Sequence, residues 1–437
     1  MSDLDRFSPP TAPSRRTVLK GLAGGVLGAG TLPFLLAACT GGSSGSSGSS
    51  KTATLGSSAS DPVPKTGIAA MVTAFEAKSK DKITINTKAH NDFQEQINSY
   101  LQGSPDDAFT WFAGYRMRYY AKKGLVAPLD DIWDELGTSN FGPGIVKAST
   151  GDDGKKYFVP NYNYPWAIFY RKSVWQSKGY QVPTTFDALK TLCAQMKKDG
   201  LIPISFGDKD GWPAMGTFDY LNMRLNGYQF HVDLLAHKES WTSPKVTAVF
   251  DNWKSILPFH DPAALGLTWQ ESAQKVGTKK AGMYLLGSFV TQQYTDKATL
   301  DDIDFFPFPT MTEANGQDAL EAPIDGFMLS KKGGDNKAAR ALLAYLGSPD
   351  GQNTYAKVDT SNVATNLKAD FSSLSPLQKK AQQTIAEAKQ ISQFLDRDAL
   401  PAVANDVMIP ALQGFFKNGS FNQSGVESQA KSLYASQ

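Results

Sequence analysis

From Lys51 onward, short apolar runs alternate with stretches in which apolar residues recur every three or four positions. Lys51–Ser57 and Lys82–Thr87 read as strands. Between them Ile68, Met71, Val72 and Phe75 share one helical face, so Pro64–Lys80 reads as a helix and the three segments as one βαβ unit. Ala108–Thr110 reads as a strand and Tyr115–Lys123 as a helix. Later, Ala167–Tyr170 and Ile202–Phe206 read as strands around a helix over 185–199 capped by Thr184. Ala338–Leu346 is a further helix, begun after the polar turn Gly333–Asn336. No repeat of fixed period appears, and the alternation predicts an α/β architecture.

The first fifty residues follow another pattern. Ser14-Arg15-Arg16-Thr17-Val18-Leu19-Lys20 precedes eighteen uncharged residues, Gly21 to Ala38, rich in Gly and Ala and holding Pro33. This resembles a twin-arginine export signal, and Leu36-Ala37-Ala38-Cys39 resembles the lipobox at which bacterial lipoproteins are cleaved and lipid-modified. A transmembrane helix is the competing reading, and the shortness of the run and its proline argue against it. Thr40 to Ser50 contains only Thr, Gly and Ser, the composition of a flexible tether. The expected organisation is a signal peptide over 1–38, a lipid on Cys39 and a tether over 39–51.

Composition narrows the function classes. The chain has 437 residues, 41% hydrophobic and 20% charged, with Lys and Arg at 44 against 42 for Asp and Glu. A net charge of +2 is too balanced for a sequence-independent grip on phosphates, so nucleic acid is not an expected partner. Removing residues 1–38 leaves 40 residues of each sign. Two cysteines and four histidines without ligand spacing make neither a disulfide framework nor a metal site, and no cofactor motif is present.

Several segments carry a family resemblance. Lys123-Gly124-Leu125-Val126-Ala127-Pro128-Leu129 and Tyr157-Phe158-Val159-Pro160 are followed by Ile168-Phe169-Tyr170-Arg171-Lys172 and Gly179-Tyr180-Gln181-Val182-Pro183-Thr184-Thr185-Phe186. Then come Lys279-Lys280-Ala281-Gly282-Met283, Gly287-Ser288-Phe289, Phe306-Pro307-Phe308-Pro309 and Asp325-Gly326-Phe327. In this order they resemble the extracellular sugar-binding proteins (family 1) of ATP-driven ABC importers, over about residues 50–437. The resemblance implies a type II periplasmic-binding-protein fold, in which two α/β lobes are joined by a hinge and a ligand cleft lies between them. It implies lobe I over 52–163 plus 324–372 and lobe II over 164–323 plus 373–437, with crossings near Asn161–Pro165, Ala322–Asp325 and Phe371–Pro376. It also implies a monomer anchored outside the membrane that hands a mono- or oligosaccharide to a permease.

A sugar site needs flat aromatic faces for the C–H surfaces of a pyranose and planar polar groups for its hydroxyls. Trp111 beside Gly114, the run Tyr162, Tyr164 and Trp166, Asp210 with Trp212, and Asp325 with Gly326 are the expected contacts. Asn91 and Asp92 are expected at the end of the second strand, and Arg397 could clamp vicinal hydroxyls bidentately. Trp269 and Phe289 are lesser candidates. For the aromatics the competing role is core packing, for Asn91 and Asp92 a helix cap, and for Phe394–Asp398 a surface ion network. Two other functions fit parts of the sequence. Asp208 with Asp210, or Asp396 with Asp398, has the spacing of a glycosidase carboxylate pair. Tyr119-Tyr120 resembles the tyrosines of ferric-ion receptors, although one ring of such a helical pair must face the core.

Overall fold

The structure, a computed structural model, describes residues 51–436. The expected signal segment, Cys39 and the tether as far as Ser50 lie outside these residues.

Twelve strands are described, in chain order β1 (Thr52–Ser57), β2 (Lys82–Thr87), β3 (Ala108–Phe112), β4 (Val159–Asn163), β5 (Trp166–Arg171) and β6 (Ile202–Ile204), then β7 (Ala281–Gly287), β8 (Ile303–Phe306), β9 (Ala319–Glu321), β10 (Ile324–Leu329), β11 (Val363–Ala364) and β12 (Gln390–Ser392). They form a six-stranded sheet ordered β11-β4-β10-β3-β1-β2, a four-stranded sheet ordered β6-β7-β5-β8, and the small pair β12-β9. In the large sheet β1 runs parallel to β2 and β3, whereas β10 enters antiparallel between β3 and β4. Each large sheet is the centre of its own hydrophobic core. This is the two-lobed α/β fold, and the chain passes from one sheet to the other between Asn163 and Trp166.

The apolar pattern explains which strands are central. β3 and β7 are buried at every position, as continuous apolar runs covered on both faces must be. β2 is largely exposed and begins at Lys82, as suits an edge. The first helix, Pro62–Ser79, starts with prolines, where missing N–H groups cost nothing, and buries Ile68, Met71, Val72 and Phe75.

Some boundaries differ from expectation. The cap of the helix Phe186–Lys198 is Thr185, whose hydroxyl accepts from Ala188 N–H, because the Thr184 carbonyl is taken by the N–H of Thr310. Asn91 and Asp92 do not end a strand. They sit in the first turn of the helix His90–Gln102, whose cap is Ala89. Phe394–Asp398 follows the short strand β12 rather than a helix, and most of it is buried.

Candidate functional site

A cavity of about 400 Å³ opens between the two lobes. Its first wall comes from loops and helix starts at the carboxyl ends of β1, β2 and β3, where open α/β sheets place ligands. Asp61, His90, Asn91, Asp92 and Phe112 line this side. Burial pushes the His90 imidazole down to about 4, so it faces the cleft uncharged.

The opposite wall is aromatic. Trp166, at the start of β5, is 2% exposed and lies 4.8 Å from Phe394 and 6.3 Å from Trp212, centroid to centroid. Phe289 meets Trp269 edge-on at 5.1 Å and Tyr164 at 5.2 Å. Trp166 fits because residue 216 in the helix behind it is glycine. A Cβ there would collide with the indole ring. Trp212 is half-buried at the cap of the helix Pro213–Asn226, with Pro213 in the first turn.

The floor joining the walls is polar. Arg397 Nη1 lies 3.1 Å from Asp325 Oδ1, Nη2 donates to the Tyr164 hydroxyl at 3.0 Å, and the guanidinium carbon sits 4.1 Å from the Phe112 ring centroid. Asp396 is 3.8 Å from the same guanidinium. Burial raises the Asp325 pKa, and the charge of Arg397 opposes that rise. At the cleft mouth, Gln270 Nε2 donates to Asp61 Oδ1 at 3.3 Å from the other lobe.

A model of the bacterial extracellular solute-binding protein family matches residues 59–353. The chain belongs to that family. This receptor is similar to an uncharacterized ABC transporter extracellular-binding protein of Pyrococcus horikoshii, with 25% identity over 317 residues and 70% of each chain covered. It is also 25% identical, over 295 residues, to the alpha-glucosides-binding periplasmic protein AglE of Rhizobium meliloti, covering 61% of this chain and 62% of that one. Among solved structures, the bacterial solute receptor AcbH, described as having an exclusive preference for β-D-galactopyranose, superposes with a TM-score of 0.85. The identity is 41%, and 88% of this chain and 99% of that chain are covered.

In the receptor, Asn91, Asp92, Trp111, Tyr162, Tyr164, Trp166, Asp210, Trp212, Trp269, Phe289, Asp325, Gly326 and Arg397 all border the cleft. They do so unequally. Trp111 is 2% exposed and packs on Phe93, Phe109 and Tyr120, so most of its ring serves the core of the first lobe. Gly326 is glycine because a Cβ would meet the Val159 carbonyl and the Phe158 ring. Gly114 is not on the cleft. Its φ of +84° starts the helix Tyr115–Lys122, and a Cβ there would lie 3.0 Å from Asp398 Oδ1.

Asp61, His90, Gln270, Phe394 and Asp396 are cleft residues that were not expected. Asp61 follows β1 directly, and the loop-after-strand rule could have found it. One member of each carboxylate pair has a structural partner, Asp208 Oδ1 accepting from Ala214 N–H and Asp398 Oδ2 from Gln393 N–H, while Asp210 and Asp396 line the cleft. Tyr120 is fully buried, and among the described residues no group of His, Cys, Asp and Glu is arranged to hold a metal.

Proposed function

We propose that the receptor captures a small pyranose, of the β-D-galactopyranose kind, between the aromatic wall and the Asp325–Arg397 pair. The carrying observation is that pair: a carboxylate and a guanidinium 3.1 Å apart present an acceptor and donors side by side, the spacing of two neighbouring hydroxyls. Trp212, Phe289 and Phe394 would take the C–H face, while Asn91, Asp92 and His90 would contact the rim from the first lobe. A cavity near the lower end of the roughly 300–1,000 Å³ range of small-ligand sites favours one or two rings over a longer chain. The preference described for AcbH supports the same choice.

We further infer that residues 1–38 are an export signal, that Cys39 carries lipid and residues 39–51 a tether, and that 52–163 with 324–372 move as one lobe against 164–323 with 373–437. The receptor would then serve, as a monomer without enzymatic activity, at the outer face of the membrane, passing cargo to an ABC permease.

A thermal-shift panel of galactose, glucose, maltose, raffinose and diacetylchitobiose tests the cargo, since ligand at 100 times its dissociation constant stabilises by about 2.7 kcal/mol. Galactose alone should raise the melting temperature. A shift with the oligosaccharides and none with galactose overturns the proposal.

A further inference from the structure

Phe394, Asp396 and Arg397 reach the cleft from one turn, Gln393–Asp398, whose backbone is strained. Phe394 has φ +119° and ψ +143°, a region that residues with a Cβ rarely occupy. Such a conformation persists only where the surroundings over-determine it. The turn is fastened at three points. Asp398 Oδ2 accepts from Gln393 N–H at 3.1 Å, closing the turn on itself. Gln393 Oε1 accepts from Ile324 N–H at 3.1 Å, tying the turn to β10. Asp219 Oδ2 accepts from Leu395 N–H at 2.8 Å, directly after the strained residue.

Asp219 is fully buried on the helix Pro213–Asn226 and does not line the cleft. A buried carboxyl without a cation partner is costly. Its ionisable neighbours offer no counter-charge: His231 Nε2, 3.6 Å from Asp219 Oδ1, is uncharged because burial pushes it down to about 3, and Glu321, Asp396 and Asp398 are themselves acids. The stability of the helix therefore gives no reason for an acid here, whereas the Leu395 N–H does. The same helix carries Trp212 at its cap, so one rigid element sets both the ring and the turn.

We propose that Asp219 is a positioning residue for cargo binding, holding the strained turn that presents Phe394, Asp396 and Arg397. This rests on the reading of the cleft as a sugar site. Burial raises the Asp219 pKa, and asparagine can supply the same acceptor oxygen to the Leu395 N–H.

Calorimetric titration of galactose into the wild type, Asp219→Ala and Asp219→Asn tests the assignment, with each melting temperature measured without sugar. Loss of the acceptor should raise Kd by about tenfold or more in Asp219→Ala, while Asp219→Asn stays within about threefold of wild type. A purely structural role would lower the melting temperature and leave Kd of the folded protein unchanged, which overturns the proposal. So does an Asp219→Asn protein that binds as weakly as Asp219→Ala. Should Asp219→Ala not fold, Asp219→Ser, whose hydroxyl falls short of Leu395, takes its place with the same expectation. A wild type that binds no sugar of the panel removes the cargo reading itself.

Discussion

Asp325 and Arg397 face each other at 3.1 Å across the join between the two lobes, one on β10 of the six-stranded sheet and the other on the turn after β12. The pair is buried, so its two members are unequal targets. Arg397→Ala leaves Asp325 without its counter-charge, and losing one partner of a buried pair costs about 3–5 kcal/mol. A much lower melting temperature and no measurable sugar binding are expected. Asp325→Asn keeps an acceptor, and Asp396 stays 3.8 Å from the guanidinium, so the loss of stability should be smaller than in Arg397→Ala, with binding weakened by about one to two decades. The double variant should be more stable than the sum of the singles predicts. Additive losses in a double-mutant cycle would show that the pair is not coupled.

Trp212 and Trp166 are adjacent rings with different duties. Trp212 is half-buried at a helix cap, so Trp212→Ala should weaken sugar binding by roughly 1.4–2.8 kcal/mol and leave the sugar-free melting temperature nearly unchanged. Trp166 is 2% exposed beneath the helix that carries Gly216, and Trp166→Ala should cost roughly 3–5 kcal/mol of stability. Calorimetry and melting of the two variants separate the roles. A Trp212→Ala protein that melts early and binds normally would take Trp212 out of the site.

Asp208 gives a pH signature. Its carboxyl is buried at the start of the helix Pro213–Asn226, and burial outweighs the Ala214 N–H in pushing it up to about 7. A folded value raised above the usual 3.8 means that its contribution is full below the unfolded value and is lost as pH rises through about 7. Asp208→Asn lacks this titration. The melting temperature of wild type relative to Asp208→Asn should therefore fall between pH 4 and pH 8. A difference independent of pH would contradict the shift.

Cargo touching both walls should favour the closed arrangement of the lobes, because those contacts are complete only there. Small-angle scattering should show a smaller radius of gyration with saturating galactose than without. An unchanged radius would point to a rigid pocket.

For export, replacing Arg15 and Arg16 with Lys should retain the precursor in the cell, and Cys39→Ala should abolish lipid labelling. Normal labelling of the Cys39→Ala protein would rule out the anchor.

Much of the fold was legible because strands and helices announce themselves by period. β2 matches its expected limits, and β1, β5 and the helix Lys337–Gly347 lie within a residue or two of theirs. What period cannot reveal is where the chain goes. The place of β10 between β3 and β4 depends on long-range pairing, and in this chain only the family resemblance hinted at it. The same limit applied to the site. Trp212 and Arg397 stand beside charged or turn residues and drew attention locally. Phe394 and Asp396 read as part of an ordinary charged cluster, because their arrival in the cleft depends on a positive φ and on Asp219, 176 positions before the Leu395 it holds. Gly114 misled for a related reason: a glycine that admits a ligand and one that admits a neighbouring turn look alike in sequence.

The insertion of β10 also has a kinetic side. The six-stranded sheet cannot close until a strand arrives that is synthesised only after every strand of the four-stranded sheet. Until then the facing edges of β3 and β4 have no partner, and such edges invite aggregation. Loop closure over so long a separation is slow, so refolding from denaturant should lag behind that of domains with local pairing. A chain that stops short of Ile324 should remain bound to chaperones rather than yield an isolated first lobe.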